Sequence, residues 1–248
     1  MPRSENNGSA IIKIIDYKAG NAPSVLNAVR RLGYGAGCAG LAQAPCDLDG
    51  ATHIILPGVG SAKATMESLG ELGFVQALGE AVLGKKALFL GICVGMQLLF
   101  EHSEEGDVDC FGWLSGQVVK YDVRKVRVPQ MGWNEISFVD GMSGDGGGGG
   151  GDGSSGDGGS GEGGGGGNGC GGGGSGDGGV RSGFFYFVNS YYAVPERAGD
   201  IWGVADYGGI FAAAVRRDNI FATQFHVEKS GEAGLLLLGG FLGMKGGV

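Results

Sequence analysis

The sequence predicts an α/β protein built on an open, mostly parallel, doubly wound sheet, with helices on both faces and antiparallel strands in its C-terminal half. Three observations predict this fold class. In the first half, short apolar runs alternate with segments of helical periodicity, the pattern of a parallel sheet covered by helices. In the second half, strand-like segments follow one another closely and are separated by turn signals. Glycine-rich turns follow two of the first-half strands.

Three buried strand candidates occupy the first half, and a helix candidate follows each of them. Their apolar residues run almost continuously, which is typical of parallel strands that are covered on both faces. The strands are predicted at 11–16, 52–56 and 87–92. Apolar residues at helical spacing predict the helices at 21–33, 64–80 and 93–101.

Six strand-like segments and a closing helix make up most of the second half. Gly208-Gly209 and Asp218-Asn219 are turn signals between the last three strands. The close spacing favours antiparallel strands that complete the same sheet. The strands are predicted at 117–121, 134–139, 183–192, 201–207, 210–217 and 219–225, and the leucine-rich helix at 231–242.

The composition predicts a single domain, residues 11–248, which follows a disordered tail at 1–10 and is interrupted by a glycine-rich insert at 141–180. The insert holds 26 glycines in 40 positions, with five acidic residues and no lysine or arginine. Its apolar surface is too small to offset the entropy lost on ordering, so we expect it to be disordered. Each doubling of a loop's length costs only about 0.6 kcal/mol. A tolerated spacer is therefore the simplest interpretation, and a docking or targeting role is the alternative.

Charge, cysteine content and hydropathy exclude several classes of protein. The formal net charge is −8, and no basic face is evident, which argues against a nucleic-acid-binding protein. No apolar run approaches the roughly 20 residues that cross a bilayer, and the polar N-terminus has no signal-peptide pattern. We expect a cytoplasmic protein, or a plastid protein if the source is a photosynthetic eukaryote.

The cysteines favour neither a disulfide framework nor a zinc site. Their number is odd and no Cys-x-x-Cys pair occurs. A reducing environment is the natural interpretation, and neither a metal nor a cofactor is expected. The five cysteines are Cys38, Cys46, Cys93, Cys110 and Cys170.

The strongest local motif is Gly91-Ile92-Cys93-Val94-Gly95, which follows a buried strand and opens a helix candidate. It has the form of a nucleophile elbow with cysteine in the nucleophile position. A tight strand-to-helix turn presents the side chain at the carboxyl end of the sheet, and the residues two positions away must be small. A helix N-terminus also favours the thiolate. The alternative is a packed structural cysteine at an ordinary β–α turn.

Two further motifs supply the remaining parts of a cysteine acyl-transfer site. His226 and Glu228 follow a predicted strand, and positions i and i+2 of an extended chain face the same side, so an imidazole and a carboxylate can project together. In the Leu56–Gly60 turn, the backbone N–H groups of Val59 and Gly60, together with that of Val94, are candidates for an oxyanion hole. Taken singly, a surface histidine near a glutamate and an ordinary βα turn are the alternatives. We expect the other two histidines, His53 and His102, to be structural or solvated.

With these motifs, the chain resembles the class I glutamine amidotransferases, and within them the glutaminase subunits of imidazole glycerol phosphate synthase. The Gly-x-Cys-x-Gly-x-Gln and His-x-Glu patterns indicate the wider class, whereas MGWN, YFVNSYY and EKSGEAG indicate the subunit family. The matching stretches are IIDYKAGN (14–21), ILPGVG (55–60), GICVGMQLLFE (91–101), PQMGWN (129–134), YFVNSYY (186–192) and TQFHVEKSGEAG (223–234).

The resemblance implies a catalytic triad of Cys93, His226 and Glu228. Cys93 attacks the carboxamide of L-glutamine, His226 moves the proton, and Glu228 orients the imidazole. The implied glutamine-binding positions are Gly58, Gly60, Gln97, Ser190 and Tyr191.

The resemblance also implies a partner, a separate or fused cyclase with a (β/α)8 barrel that receives the ammonia and forms a heterodimer with this chain. The products in the family are imidazole glycerol phosphate and an aminoimidazole carboxamide ribotide, in histidine biosynthesis. The implied interface positions are Asn21, Trp133, Tyr186 and Lys229.

The chain departs from the family pattern at three positions and in its insert. Val227 stands where proline is usual, and we expect a looser but working triad because valine can adopt the same φ. Gln130 and Asn189 stand where histidine is common, so a titrating role at those positions is lost. The glycine-rich insert is not a general family feature. Two alternatives stay open: a glutaminase subunit of another synthase, such as pyridoxal phosphate synthase, and a catalytically inactive scaffold subunit.

Overall fold

The computed structural model describes residues 10–18, 21–139 and 182–245, which form two sheets with flanking helices. The predicted disorder of the tail at 1–10, Ala10 apart, and of the insert at 141–180 lies outside the described residues. Within them, no helix is long and apolar enough to cross a membrane.

Five parallel strands form one half of the larger sheet. They are fully apolar or nearly so and are buried, as expected for strands covered on both faces. The strands are β1 (Ile12–Ile15), β2 (Ala39–Ala42), β3 (His53–Gly58), β4 (Leu88–Cys93) and β13 (Ile220–Thr223). Their spatial order is β2-β1-β3-β4-β13. Only β2 has no counterpart among the predicted strands, because its sequence AGLA lacks β-branched and aromatic residues.

Four antiparallel strands continue this sheet on the far side of β13. They are β8 (Gln130–Phe138), β9 (Ser182–Asn189), β11 (Ile201–Asp206) and β12 (Ile210–Arg217). Their order outward from β13 is β12-β11-β8-β9. Glycines with positive φ at 208 and 209 form the turn between β11 and β12, and Asp218, with φ 52°, forms the turn before β13. Both turns were predicted.

A second sheet corrects the expectation that all strands complete a single sheet. The predicted strand 183–192 is interrupted at Ser190, after which Tyr191–Pro195 (β10) leaves the larger sheet and pairs with Gly116–Lys120 (β7). Two short strands, His102–Ser103 (β5) and Val108–Asp109 (β6), extend this second sheet. Strand pairing is a non-local choice, so continuous strand propensity through position 190 did not reveal the change of sheet.

Helices cover both faces of the larger sheet. α1 (Ala22–Arg31) connects β1 outward to β2, whereas α2 (Ala62–Glu71) and α3 (Phe74–Gly79) lie on the connection from β3 in the opposite direction to β4. Right-handed crossovers that run in opposite directions place their helices on opposite faces. The closing helix α5 (Gly231–Leu242) has the predicted bounds and contacts α1, so it shares that face.

Two predicted helices are shorter than expected. The segment 64–80 is divided at Gly73, whose φ of 75° ends α2 and begins α3, and a π-helical turn follows at Glu80–Gly84. The segment 93–101 contains only one helical turn, α4 (Val94–Gln97). Leu98, Leu99 and Phe100 are fully buried and accept backbone hydrogen bonds from the 111–114 loop, so tertiary contacts end this helix early.

The close packing at Gly95 yields a stability prediction. A Cβ at this position would lie 2.1 Å from the backbone oxygen of Leu56, so Gly95→Ala should lower the free energy of unfolding by about 3 kcal/mol through overpacking. Gly70→Ala is the matched control, because a Cβ there meets nothing within 4 Å and should stabilise α2 by about 0.5–1 kcal/mol. Urea unfolding of both variants measures the difference, and equal midpoints would contradict the assigned packing.

Candidate active site

The carboxyl ends of three neighbouring parallel strands meet at one edge of the larger sheet. Strand β4 lies between β3 and β13, and its register pairs Cys93 with Gly58 and Ile92 with Thr223. The chain continues from β3 into the 58–60 turn and from β13 towards His226. Segments far apart in the sequence therefore meet where open α/β sheets bind ligands.

Cys93 lies on a sharp turn that glycine makes possible. Its φ is 56° and its ψ is −109°, a rare backbone conformation for a residue with a side chain. A Cβ on Gly91 would lie 2.4 Å from the backbone oxygen of Gly95, so only glycine permits the turn to close this tightly. This backbone geometry matches the strand-to-helix elbow that the sequence predicted, and the backbone strain lies at Cys93.

A cavity of about 280 Å³ opens at this edge, and the sulfur and the imidazole both line it. Cys93 and His226 are almost fully buried, with 4% and 3% of their surfaces exposed. Gly58 does not line the cavity; its missing side chain allows the backbone of Val94 and Gly95 to pack against it. The predicted site residues that line the cavity are Val59, Gly60, Cys93, Val94, Gln97, Ser190, Tyr191, His226 and Lys229.

Glu228 holds the imidazole from the side away from the cavity. Its Oε1 lies 2.9 Å from Nδ1 of His226, and the carboxylate is almost completely buried. The side-chain amide of Asn21 donates a second hydrogen bond of 2.9 Å to the same oxygen. Asn21, predicted at the partner interface, thus stands immediately before α1 and fixes the carboxylate that orients His226.

The two partners of His226 determine its charge. Burial by itself lowers the pKa of this imidazole, but hydrogen bonds to Cys93 and Glu228, and the charges of both groups, raise it to about 9. Burial raises the pKa of Glu228, and its contacts with His226 and Asn21 outweigh this and lower it. At neutral pH the histidine is therefore an imidazolium beside an ionised carboxylate, with a proton available for a leaving group.

Curated relatives decide the family. The imidazole glycerol phosphate synthase subunit HisH of Leptospira interrogans is 35% identical, over 93% of this chain and 98% of its own length. The subunit HisH 1 of Campylobacter jejuni (strain RM1221) is 38% identical over 94% and 99%. The chain belongs to the HisH family of imidazole glycerol phosphate synthase subunits. No family model matches the chain.

Solved structures agree with this assignment at the level of the fold. A glutamine amidotransferase crystal structure has a TM-score of 0.63 at 16% identity and covers 94% of this chain and 98% of its own. The PurLQS structure from Thermotoga maritima also has a TM-score of 0.63, at 15% identity and the same coverage. These similarities confirm the predicted α/β amidotransferase fold, and as a HisH subunit the chain is a glutamine amidotransferase.

The HisH chain brings His226 and Glu228 together by a turn instead of by strand alternation. The backbone of His226 is extended, with φ −87° and ψ 97°, but Val227–Lys229 forms a 3₁₀ turn closed by the bond from the Lys229 N–H to the His226 carbonyl. Val227, at the usual proline position, begins this turn and is buried. The 2.9 Å contact between His226 and Glu228 has an ordinary hydrogen-bond length with valine at that position.

Two polar residues at the site of this HisH chain were not predicted from the sequence motifs. Glu105 lines the cavity from the loop after β5, and its carboxylate accepts a 2.9 Å hydrogen bond from the N–H of Ala62 at the start of α2. Gln224 is fully buried, and its Nε2 lies 3.6 Å from the sulfur of Cys93. The i−2 spacing of Gln224 from His226 was a usable signal, whereas only the tertiary structure brings Glu105 to the cavity.

The other histidines do not belong to this site. His53 is buried in an edge-to-face contact with the ring of Phe241, and burial lowers its pKa. His102 lies at the surface within 3.3 Å of the Asp107 and Asp109 carboxylates. These positions agree with the structural and solvated roles expected for them.

The imidazole of His226 provides a direct test of the site's electrostatics. NMR titration should give it a pKa of about 9, and Cys93→Ala should lower that pKa because one of the two groups that raise it is removed. Since the folded pKa lies above the ordinary value of 6.5, the charged histidine stabilises the fold fully below about pH 6.5, and this stabilisation is lost as pH rises through about 9.

With three histidines in the chain, the resonances are readily distinguished. Glu228→Gln should act in the same direction as Cys93→Ala, and His102→Gln serves as a control that leaves the His226 titration unchanged. An unaltered His226 pKa in Cys93→Ala would show that the sulfur does not act on the imidazole.

Proposed function

We propose that this subunit hydrolyses L-glutamine through Cys93, His226 and Glu228 and passes the ammonia to a cyclase partner. The observation that carries the proposal is that a buried thiol on an elbow turn and a carboxylate-bound imidazole line one cavity. Side chains from two distant parts of the sequence thus supply the three groups that such a site needs, a nucleophile, a proton carrier and an orienting group.

The proposed reaction has two steps, formation of a thioester on Cys93 and its hydrolysis. The Cys93 thiolate adds to the carboxamide carbon, and the C–N bond breaks as the His226 imidazolium gives its proton to the leaving nitrogen, which departs as ammonia. Water then attacks the γ-glutamyl thioester while neutral His226 takes a proton from it, and the C–S bond breaks to give glutamate. Glu228 keeps the imidazole in one orientation during both proton transfers.

The cavity supplies the remaining interactions. The proposed oxyanion hole consists of the backbone N–H groups of Val59, Gly60 and Val94, and all three residues line the cavity. Gln97 and the Ser190–Tyr191 backbone offer polar groups for the rest of the substrate. Glu105 provides a carboxylate at the same cavity, which complements the α-ammonium group of an amino acid substrate.

An exposed apolar surface beside the cavity supports docking of the partner. On the outer face of β8 and β9, Met131, Trp133 and Phe184 are 66%, 57% and 59% exposed, and Tyr186 lies opposite Trp133 in register. A patch of this kind on a soluble fold marks an interaction site. Val188 lies opposite Met131 and also lines the cavity, so this surface is continuous with the site where ammonia is formed.

Within this proposal the partner is a (β/α)8-barrel cyclase that uses the ammonia to make imidazole glycerol phosphate and an aminoimidazole carboxamide ribotide in histidine biosynthesis. The HisH relatives are named as subunits of that synthase. Trp133, Tyr186 and Lys229 are the proposed contacts. The proposed location is the cytoplasm.

Cys93→Ala tests the division of labour between the two subunits. With the cyclase present, the variant should lose glutamine-dependent synthesis by at least ~10³-fold, because no other group forms the thioester. Synthesis from added ammonium salt should remain at the wild-type rate. An equal loss of both activities would refute the proposal.

A glutamine-analogue electrophile identifies the nucleophile directly. Peptide mass spectrometry should place the label of 6-diazo-5-oxo-norleucine on Cys93, with Cys38, Cys46 and Cys110 as internal controls in the same chain. An unlabelled Cys93 in the cyclase complex would favour the inactive-scaffold alternative.

Trp133→Ala tests the docking surface. Truncating an exposed tryptophan in an apolar patch should weaken cyclase binding by about 2 kcal/mol, roughly 30-fold, as is common for central interface tryptophans. Ile210→Ala is the matched control, because Ile210 is 70% exposed on β12, outside this surface, and should bind normally. Calorimetric titration compares the two, and equal affinities would place the interface elsewhere.

A further inference from the structure

One backbone carbonyl fixes the orientation of two buried side-chain amides beside the cavity. The oxygen of Tyr191 accepts a hydrogen bond of 3.0 Å from Nε2 of Gln97 and another of 3.0 Å from Nδ2 of Asn189. A carbonyl oxygen can only accept, so each amide must turn its NH₂ group towards it. The oxygens of both amides consequently face away from Tyr191.

The orientation of Gln97 determines that of Gln224. Nε2 of Gln97 also donates to Oε1 of Gln224, over 3.0 Å, and Gln224 is fully buried. If Gln224 were reversed, two NH₂ groups would face each other in a buried site with no acceptor between them. Its own NH₂ group is therefore forced towards the sulfur of Cys93, 3.6 Å away.

We propose that Gln224 is a positioning residue for Cys93, whose amide N–H donates to the sulfur, favours the thiolate over the thiol and holds it at the cavity. The proposal rests on the proposed function, in which Cys93 is the nucleophile. A hydrogen bond donated to a charged group stabilises the charged form. On another side of the sulfur lies the Val188 carbonyl, 3.8 Å away, which can only accept and therefore favours the thiol.

The effect of the Gln224 N–H on the Cys93 thiolate can be separated from the effects of the other groups around the sulfur. Helix α4 has only four residues, so the helix N-terminus contributes less than the predicted helix 93–101 would. The titratable groups that act on the sulfur or line the cavity with it are His226, Tyr17, Glu105, Tyr191 and Lys229. Gln224 is neutral, and its conversion to another neutral residue removes none of these groups.

Two substitutions at Gln224 distinguish the effect of its N–H donor from the effect of the rest of the side chain. Gln224→Glu keeps the shape and the oxygen that accepts from Gln97, and replaces the N–H that faces the sulfur. Gln224→Met keeps the approximate volume and removes both hydrogen bonds without adding charge. Gln76→Glu is the control for added charge, because Gln76 is exposed on α3 and lies outside the cavity.

The measurement is the rate of iodoacetamide alkylation at Cys93 in the full chain between about pH 5 and pH 10, resolved by peptide mass spectrometry. Gln224→Met should raise the pH midpoint by about one unit and slow alkylation at pH 7 by about tenfold. Gln224→Glu should raise it further, because a carboxylate repels the thiolate. Gln76→Glu should match the wild type.

Near-UV circular dichroism identifies which variants are folded, and either folded Gln224 variant suffices for the test. A wild-type alkylation profile in a folded Gln224 variant would overturn the inference. Alkylation requires no glutamine turnover, so the outcome is independent of the proposed function. A shifted midpoint in a chain that also lacks glutaminase activity in the presence of the cyclase would support Gln224 as the sulfur's donor and refute the hydrolysis proposal.

Discussion

The close approach of three backbone segments around Cys93 is the constraint on which the rest of the site depends. Gly58, Gly91 and Gly95 lie where β3, β4 and the following turn nearly touch, and a side chain at any of them would overlap neighbouring atoms. This packing holds Cys93 at a positive φ, with its sulfur at the edge of the sheet. Once the sulfur is placed, the register of β13 against β4 decides which residues can reach it.

The most deeply buried charges of the site form one ionic pair, His226 and Glu228. Glu228 stays ionised in a buried position because His226 and Asn21 both bind its Oε1 atom. A buried charge is tolerated when it is paired and hydrogen-bonded in this manner. Asn21, immediately before α1, therefore fixes the geometry of the pair formed by Glu228 and His226, a role distinct from the interface contact that the family resemblance implied.

The antiparallel pair of β8 and β9 borders both the cavity and the exposed apolar surface. Its inner face packs Ile136, Phe185 and Phe187 into the core, while its outer face exposes Met131 and Trp133. Because side chains alternate along a strand, one strand pair serves both purposes. A partner on the outer face would lie next to the cavity without any rearrangement of the core.

Much of this protein could be predicted from local sequence, for identifiable reasons. Continuous apolar runs indicated the buried parallel strands, the glycines around Cys93 indicated the elbow turn, and α5 has the predicted bounds because its leucines are at helical spacing. Tertiary structure alone decided the break at Ser190 that creates the second sheet, the early end of α4, and the contacts of Asn21 and Glu105 with the site. These features depend on partners distant in the sequence, whose positions follow from strand order and register, and no local pattern encodes them.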